Sequence, residues 1–102
     1  MVVDTIGAVK SRQLLNILLD SGSTTTLINK RCLPKKCQPC QISQSRIVNT
    51  LAGTYQSSAM VVMRNLRLPE FDKNRNVEQQ KTLIFESETC KYDVIFCADF
   101  LT

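Results

Sequence analysis

The stretch that decides the fold is Leu14-Leu15-Asn16-Ile17-Leu18-Leu19-Asp20-Ser21-Gly22-Ser23-Thr24-Thr25-Thr26-Leu27-Ile28. Its apolar run has the length of a strand and ends at a carboxylate, a hydroxyl and a glycine, which predicts a buried strand entering a tight turn. A carboxylate in that position costs free energy unless it is hydrogen-bonded or takes part in chemistry. The residues alone leave open an ordinary Asp-Ser-Gly turn and a functional Asp20.

Composition limits the chemistry that this chain could perform. Its 102 residues suffice for one small domain with a core; 43% of them are hydrophobic, and the net charge is +4. The absence of His removes Ser-His and Cys-His nucleophilic schemes and most zinc catalysis. An enzyme of this composition has to use carboxylates for acid–base chemistry.

The sequence also carries expectations about location and partners. No apolar run is long enough to span a membrane, and the N-terminus lacks a signal-peptide pattern. Lys and Arg are dispersed, without a basic patch interleaved with aromatic residues. We therefore expect an intracellular protein with no membrane partner and no direct nucleic-acid binding.

Five cysteines are an odd number, which in an intracellular chain favours free thiols over a disulfide framework. Cys32, Cys37 and Cys40 lie close together in sequence, and only Cys90 or Cys97 could add a further thiolate ligand. Without a second Cys-x-x-Cys pair or any His, an exposed loop with free thiols is favoured over a metal site. We expect no metal and no cofactor; a small cysteine-rich zinc module is the less favoured alternative.

Turn residues divide the first half of the chain into hairpins. A strand over Met1–Ile6, a turn near Lys10–Arg12 and a strand from Leu14 into Asp20 are predicted to form the first hairpin. Pro34 and Pro39 predict a loop over Leu33–Gln41.

The second half predicts a long hairpin and two further strands. Strands over Ile42–Thr50 and Tyr55–Leu68 are joined by a turn around Gly53. The polar, aperiodic segment Pro69–Gln80 is predicted to be a surface loop, and Thr82–Phe85 and Tyr92–Phe96 are predicted strands. Many short strands with little helix imply an all-β, barrel-like domain.

Two segments resemble a known family. Leu18-Leu19-Asp20-Ser21-Gly22-Ser23-Thr24 is similar to the active-site loop of retropepsin-like aspartic proteases, where apolar residues precede Asp-Ser/Thr-Gly-Ala/Ser. Tyr92-Asp93-Val94-Ile95-Phe96-Cys97-Ala98-Asp99-Phe100-Leu101 resembles the late segment of that family, an apolar strand, a glycine and Asp-Phe-Leu at the start of a short helix. The similarity is strongest to the protease of gypsy-type LTR-retrotransposon polyproteins.

The resemblance implies a fold and an activity. The fold would be a closed β-barrel with a flap hairpin and at most one short C-terminal helix, in a single domain over residues 1–102. The activity would be that of an aspartic endopeptidase that processes a polyprotein, in the cytoplasm or within virus-like particles. Because the sequence has a single Asp-Ser-Gly, two Asp20 residues from a homodimer would form the water-activating dyad on a polypeptide substrate.

The same resemblance assigns roles to individual residues. Asp20 would be catalytic. Ser21, Gly22, Ser23 and Thr24 would form the active-site loop: Ser21 would brace the dyad, Gly22 would admit the substrate backbone, and Ser23 would donate to Asp20. The flap and substrate contacts would come from Leu51, Ala52, Gly53, Thr54 and Tyr55. A catalytically silent dimerisation or peptide-binding module of the same fold is the alternative function.

The sequence departs from the family pattern in two places. Cys97 stands where the family has a glycine that packs close to the active-site loop, so its side chain is expected to strain that packing. In the family, the Asp-Phe-Leu segment leads into a helix and a terminal strand that interleaves with the partner. The sequence ends at Thr102, so the resemblance implies that both are cut off and that dimerisation of this chain is weak.

Overall fold

The computed structural model of the protein describes residues 1–20, 25–69 and 72–97. These ranges contain one short 3-10 turn, Lys30–Cys32, and eight strands: β1 (Val2–Ile6), β2 (Val9–Leu14), β3 (Ile17–Asp20), β4 (Thr26–Asn29), β5 (Cys40–Thr50), β6 (Gly53–Leu68), β7 (Asp72–Phe85) and β8 (Val94–Cys97). The all-β class predicted from the sequence is therefore confirmed.

All eight strands belong to one sheet, in the order β2-β1-β6-β7-β4-β8-β3, with β5 paired to β6 outside this path. The long strand β6 pairs antiparallel with β1, β5 and β7. The sheet curls into a half-barrel. A closed barrel stays a prediction.

Strands β3 and β4, which precede and follow residues 21–24, lie on opposite sides of β8. Strand β3 runs parallel to β8, with Asp20 opposite Cys97. Strand β4 pairs antiparallel with the other side of β8 and parallel with β7. Parallel pairing requires long connections rather than tight hairpins, so distant parts of the sequence meet at the loop.

Both faces of the sheet are buried at β4 and β8, which explains their continuous apolar sequences. Along β4, Leu27 packs into one core cluster and Ile28 into the other. Along β8, Ile95 packs into the cluster that contains Leu27, and Phe96 packs into the cluster that contains Ile28. Because β8 is buried on both faces, the end of β3 pairs with a tightly packed strand.

The first hairpin is confirmed, but its turn was predicted in the wrong place. Ile6 pairs with Val9, so the turn is Gly7–Ala8, and the predicted turn residues Lys10–Arg12 lie within β2. Gly7 has φ +63°, a left-handed conformation that glycine adopts without strain. The turn therefore follows the glycine rather than the charged residues.

The predicted single strand from Leu14 into Asp20 is also wrong, because it is interrupted at residues 15 and 16. The Leu15 amide donates to the Met1 carbonyl at 2.8 Å. The Asn16 amide donates to Asp93 Oδ2 at 2.8 Å. These bonds divert the backbone from one partner strand to another, so β2 ends at Leu14 and β3 begins at Ile17.

The surface loop predicted over Pro69–Gln80 is wrong as well, because β7 already begins at Asp72. Leu66 pairs with Val77, and Arg64 with Gln79. Backbone amides and carbonyls form the ladder whatever the polarity of the side chains. A polar stretch can therefore extend a strand where a long neighbour such as β6 offers it a partner.

We predict that Gly7→Ala lowers the free energy of unfolding by about 1–2 kcal/mol, because a side chain is strained at this φ. A Cβ at residue 7 would also lie 2.9 Å from Cys37 Sγ. Urea denaturation measures the loss. In a Cys37→Ala background the contact with the thiol is relieved, while the backbone strain and a 3.3 Å contact with Val61 Cγ2 remain, so the loss should be smaller. Equal stability of Gly7→Ala and the parent would contradict this account.

Candidate functional site

Asp20 ends β3 with only 2% of its surface exposed. Its Oδ2 atom accepts a hydrogen bond from the Leu51 backbone amide at 2.9 Å. Such a bond offsets part of the cost of removing a carboxylate from water. The tip of the β5–β6 hairpin therefore contacts the candidate catalytic group directly.

The hairpin tip is a two-residue turn, with Thr50 paired to Gly53. Gly53 is the first residue of β6, with φ +134°, so the turn consists of Leu51 and Ala52. The Thr50 hydroxyl donates to the Gly53 carbonyl at 2.7 Å and accepts from the Ala52 amide at 3.1 Å. The conformation of the tip is thus fixed while the Leu51 side chain stays 73% exposed.

Tyr55 anchors the tip to the body of the domain. Its hydroxyl donates to the Ala52 carbonyl at 3.1 Å, and its ring lies 4.5 Å from that of buried Phe85. Thr54 forms a second tie, from its hydroxyl to Asn49 Oδ1 at 2.9 Å. The five residues predicted for the flap therefore lie together at the tip, one of them against Asp20.

The loop residues Ser21, Gly22, Ser23 and Thr24 lie outside the described residues, so their roles stay predictions. The helix expected to start after Cys97 lies outside them too.

Thr26 is a residue of this site that the sequence interpretation missed. It is almost fully buried, and its Oγ1 accepts from the Cys97 amide at 3.0 Å. This bond ties the first residue of β4 to the position opposite Asp20. The only sequence signal was a third consecutive threonine at the start of an apolar step, which is too common to single out.

A second missed feature is a polar cluster at the other end of β3 and β8. Asp93 accepts from the Asn16 amide at 2.8 Å and from Arg31 Nη2 at 3.2 Å. Burial alone would raise the pKa of Asp93, but the hydrogen bonds from Asn16, Arg31 and the Cys32 thiol outweigh it and hold that pKa below its usual range. This cluster fixes where β3 starts, and so where Asp20 lies.

We predict that Asp93→Asn lowers the free energy of unfolding at neutral pH by about 1 kcal/mol, because hydrogen bonds to a charged acceptor are lost. Since the folded-state pKa is lowered, this stabilisation is present above the unfolded carboxyl pKa of about 3.9 and is lost as the pH falls through the folded value. Denaturant unfolding from pH 7 to pH 2 should show the two proteins converging at acid pH. Glu86→Gln is the control, because its pair with Lys30 is exposed and 4.0 Å long; a difference for Asp93→Asn that persists at the lowest pH would refute the charge-based explanation.

All five cysteines are free thiols in the structure. Burial, followed by the negative charge of Asp93, raises the pKa of Cys32 to about 11. Cys40 is exposed, whereas Cys37 lies close to the Gly7 turn. Among the described residues, no group of three or more Cys, Asp or Glu side chains is arranged to hold a metal ion.

Comparison with known proteins returned no family model, no curated protein and no solved structure that matches this chain. Within residues 1–20, 25–69 and 72–97, no helix has the length and apolar character to cross a membrane.

Proposed function

We propose that this chain is a retropepsin-like aspartic endopeptidase whose active site is completed by a second copy of itself. The observation that carries the proposal is Asp20, the only buried Asp or Glu among the side chains that the structure describes. It stands at the end of a strand, in the sequence context Asp-Ser-Gly, under the tip of a hairpin. A carboxylate removed from water costs free energy unless it is hydrogen-bonded or takes part in chemistry.

The proposed chemistry needs two carboxylates that share one proton. One carboxylate accepts a proton from the attacking water, while the protonated partner donates to the scissile carbonyl oxygen. Aspartic proteases are the known case in which like charges about 3 Å apart cannot both ionise. Because the sequence has one Asp-Ser-Gly, a two-fold dimer is the simplest way to bring two such groups together.

The β5–β6 hairpin supports this proposal as a candidate flap. Its Leu51 amide occupies one acceptor position of the Asp20 carboxylate. Movement of the hairpin away from Asp20 would free this position for water, peptide and a second carboxylate. Hairpin opening would then gate access to the site, as lids do in other enzymes. The natural substrate would be the polyprotein of a retrotransposon.

The alternative is a catalytically silent dimerisation or peptide-binding module. One observation favours it: the bond between Leu51 and Asp20 gives the carboxylate a structural role within a single chain. An Asn at residue 20 could accept the same bond. A module of this kind would therefore tolerate Asp20→Asn without loss of function, whereas the protease would not.

Cleavage of a randomised peptide pool at acidic and neutral pH, followed by mass spectrometry, tests the proposal. We expect defined cleavage sites, inhibition by a statine-type compound, and a bell-shaped pH dependence, because only the singly protonated pair is active. Activity should increase more steeply than protein concentration where monomers predominate. Absence of cleavage at any pH at high protein concentration would rule out the enzyme and leave the binding module.

A further inference from the structure

A cavity of about 670 Å³ opens beside the candidate active site. It lies between β4, β5, β6 and β7 and extends to the end of β8. The residues that matter for its chemistry are Thr25, Arg46, Met60, Lys81, Leu83 and Cys97. None of the proposed flap residues lines it, so its lining adds residues to those already described for the candidate site.

An irregularity in the β5–β6 pairing opens this cavity. Gln41 pairs with Ala59 and Arg46 with Ser57, so the four residues of β5 between these pairs face a single residue of β6. Three of these four residues, Ile42, Ser43 and Gln44, line the cavity. Bulges of this kind bend a strand and redirect its side chains.

The charged side chains that line the cavity are positive. Arg46 and Lys81 are both among its lining residues, and none of the described lining residues is Asp or Glu. The ion pairs between described residues, Lys30 with Glu86 and Arg31 with Asp93, involve neither cation. The cavity therefore offers two positive charges without a neutralising carboxylate from the described part of the chain.

One of these cations is oriented by the protein. Arg46 Nη2 donates to Thr25 Oγ1 at 3.3 Å, a contact that crosses from β5 to the residue just before β4. This contact restricts the guanidinium at the edge of the cavity lined by Thr25 and Thr26. Because a guanidinium carries five N–H donors, it can keep this contact and still bind a carboxylate.

Part of the remaining wall of the cavity is apolar. Leu83 is buried and Met60 is half-buried. A side chain that fits this cavity would place methylene groups against the apolar wall and an anionic end near the two cations. Among the protein side chains, glutamate has that composition.

The cavity also lies within reach of a peptide bound at Asp20. Cys97 lines the cavity and is the register partner of Asp20 across the β3–β8 pair. Thr25 and Thr26, which follow the candidate active-site loop, line it as well. A peptide with its scissile bond at Asp20 would therefore extend a nearby side chain into this space.

We propose that the cavity binds a glutamate side chain of the polypeptide substrate close to the scissile bond, through Arg46 and Lys81. This inference rests on the proposed protease function, because it assigns a substrate class to the same site. Salt should weaken the preference, since Arg46 and Lys81 are both exposed to solvent.

The experiment uses fluorescein-labelled decapeptide pools in which one position at a time is fixed as Glu or as Gln. We expect one position near the cleavage site at which Glu raises kcat/KM about fivefold or more over Gln, in line with a charge-assisted contact. Arg46→Gln and Lys81→Gln should each reduce the ratio of Glu to Gln rates towards one. Lys10→Gln, which removes the same charge from β2 on another part of the sheet, should leave the ratio unchanged.

Two outcomes separate the failure of this inference from the failure of the protease proposal. Cleavage with equal rates for Glu and Gln at every position, or a preference that both substitutions leave intact, would overturn the glutamate site while the protease stands. If no pool is cleaved, fluorescence anisotropy of the same pools decides the matter. Tighter binding of a Glu pool that depends on Arg46 would support the site without catalysis, and equal binding of Glu and Gln pools would overturn it.

Discussion

Asp20→Asn is expected to reduce peptide cleavage by about a thousandfold or more, because positioned acid–base groups contribute about 10²–10⁴-fold to rates and Asp20 would supply both members of the dyad. The amide cannot hold the shared proton or accept one from water. Its oxygen can still accept the Leu51 amide that Asp20 Oδ2 now accepts at 2.9 Å. We therefore expect loss of turnover without loss of the fold.

Asp4→Asn is the matched control for this substitution. Asp4 is a half-buried carboxylate on β1, a strand that pairs with β2 and β6 rather than with β3. It should retain parental kcat/KM. Circular dichroism and denaturant unfolding of both variants check that the fold persists. Cleavage by Asp20→Asn at rates near those of the parent would rule out Asp20 as the catalytic carboxylate.

Phe85→Ala is expected to lower the free energy of unfolding by about 3–5 kcal/mol, the usual cost of removing a buried aromatic ring. Phe85 ends β7, has 1% of its surface exposed and packs against the Tyr55 ring. For a domain whose stability lies in the typical range of about 5–15 kcal/mol, such a loss is a large share of the total. Urea denaturation measures it directly.

Tyr55→Phe is the control that separates the ring contact from the hydroxyl contact. It keeps the packing on Phe85 but removes the hydrogen bond to the Ala52 carbonyl. A net loss of about 1 kcal/mol is expected for one hydrogen bond. If Phe85→Ala cost no more than Tyr55→Phe, the Phe85 ring would not be the main support of Tyr55 and the hairpin tip.

Local sequence signals were enough for the fold class and for the hairpins. The apolar run before Asp20 predicted a strand with a buried end, and Asp20 is buried. The pair of strands around Gly53 predicted the β5–β6 hairpin, which the structure contains. These features depend on neighbouring residues, which a single sequence displays directly.

One error was local, because the first turn follows Gly7 rather than the charged residues Lys10–Arg12. The two larger errors involve contacts between distant residues. The break between β2 and β3 depends on Asp93, which lies far along the chain from Asn16. The polar first half of β7 becomes a strand because β6 is long enough to pair with it. Neither cause leaves a local pattern, so turn and polarity signals gave the wrong boundaries.

The candidate site likewise has some features that the local sequence predicts and others that depend on distant contacts. Asp20 and the hairpin tip could be selected from their sequence context, but the bond between Leu51 and Asp20 depends on how the hairpin folds back over β3. The tie between Thr26 and Cys97 likewise requires β8 to lie between β3 and β4. Cys97 lies at the end of β8, half-buried, with its amide bonded to Thr26. The expected strain against residues 21–24 lies outside the described residues and stays a prediction.

The central claim is that catalysis requires one Asp20 from each of two chains, and a subunit-mixing titration tests it most directly. Wild-type protein is held at a fixed concentration well above that needed for dimerisation, and Asp20→Asn protein is added and allowed to exchange. If both carboxylates are required, random pairing predicts that an equal amount of the variant halves the activity and that a ninefold excess reduces it to about one tenth. Activity that stays constant throughout the titration would contradict the account, because it would mean that a single Asp20 is sufficient.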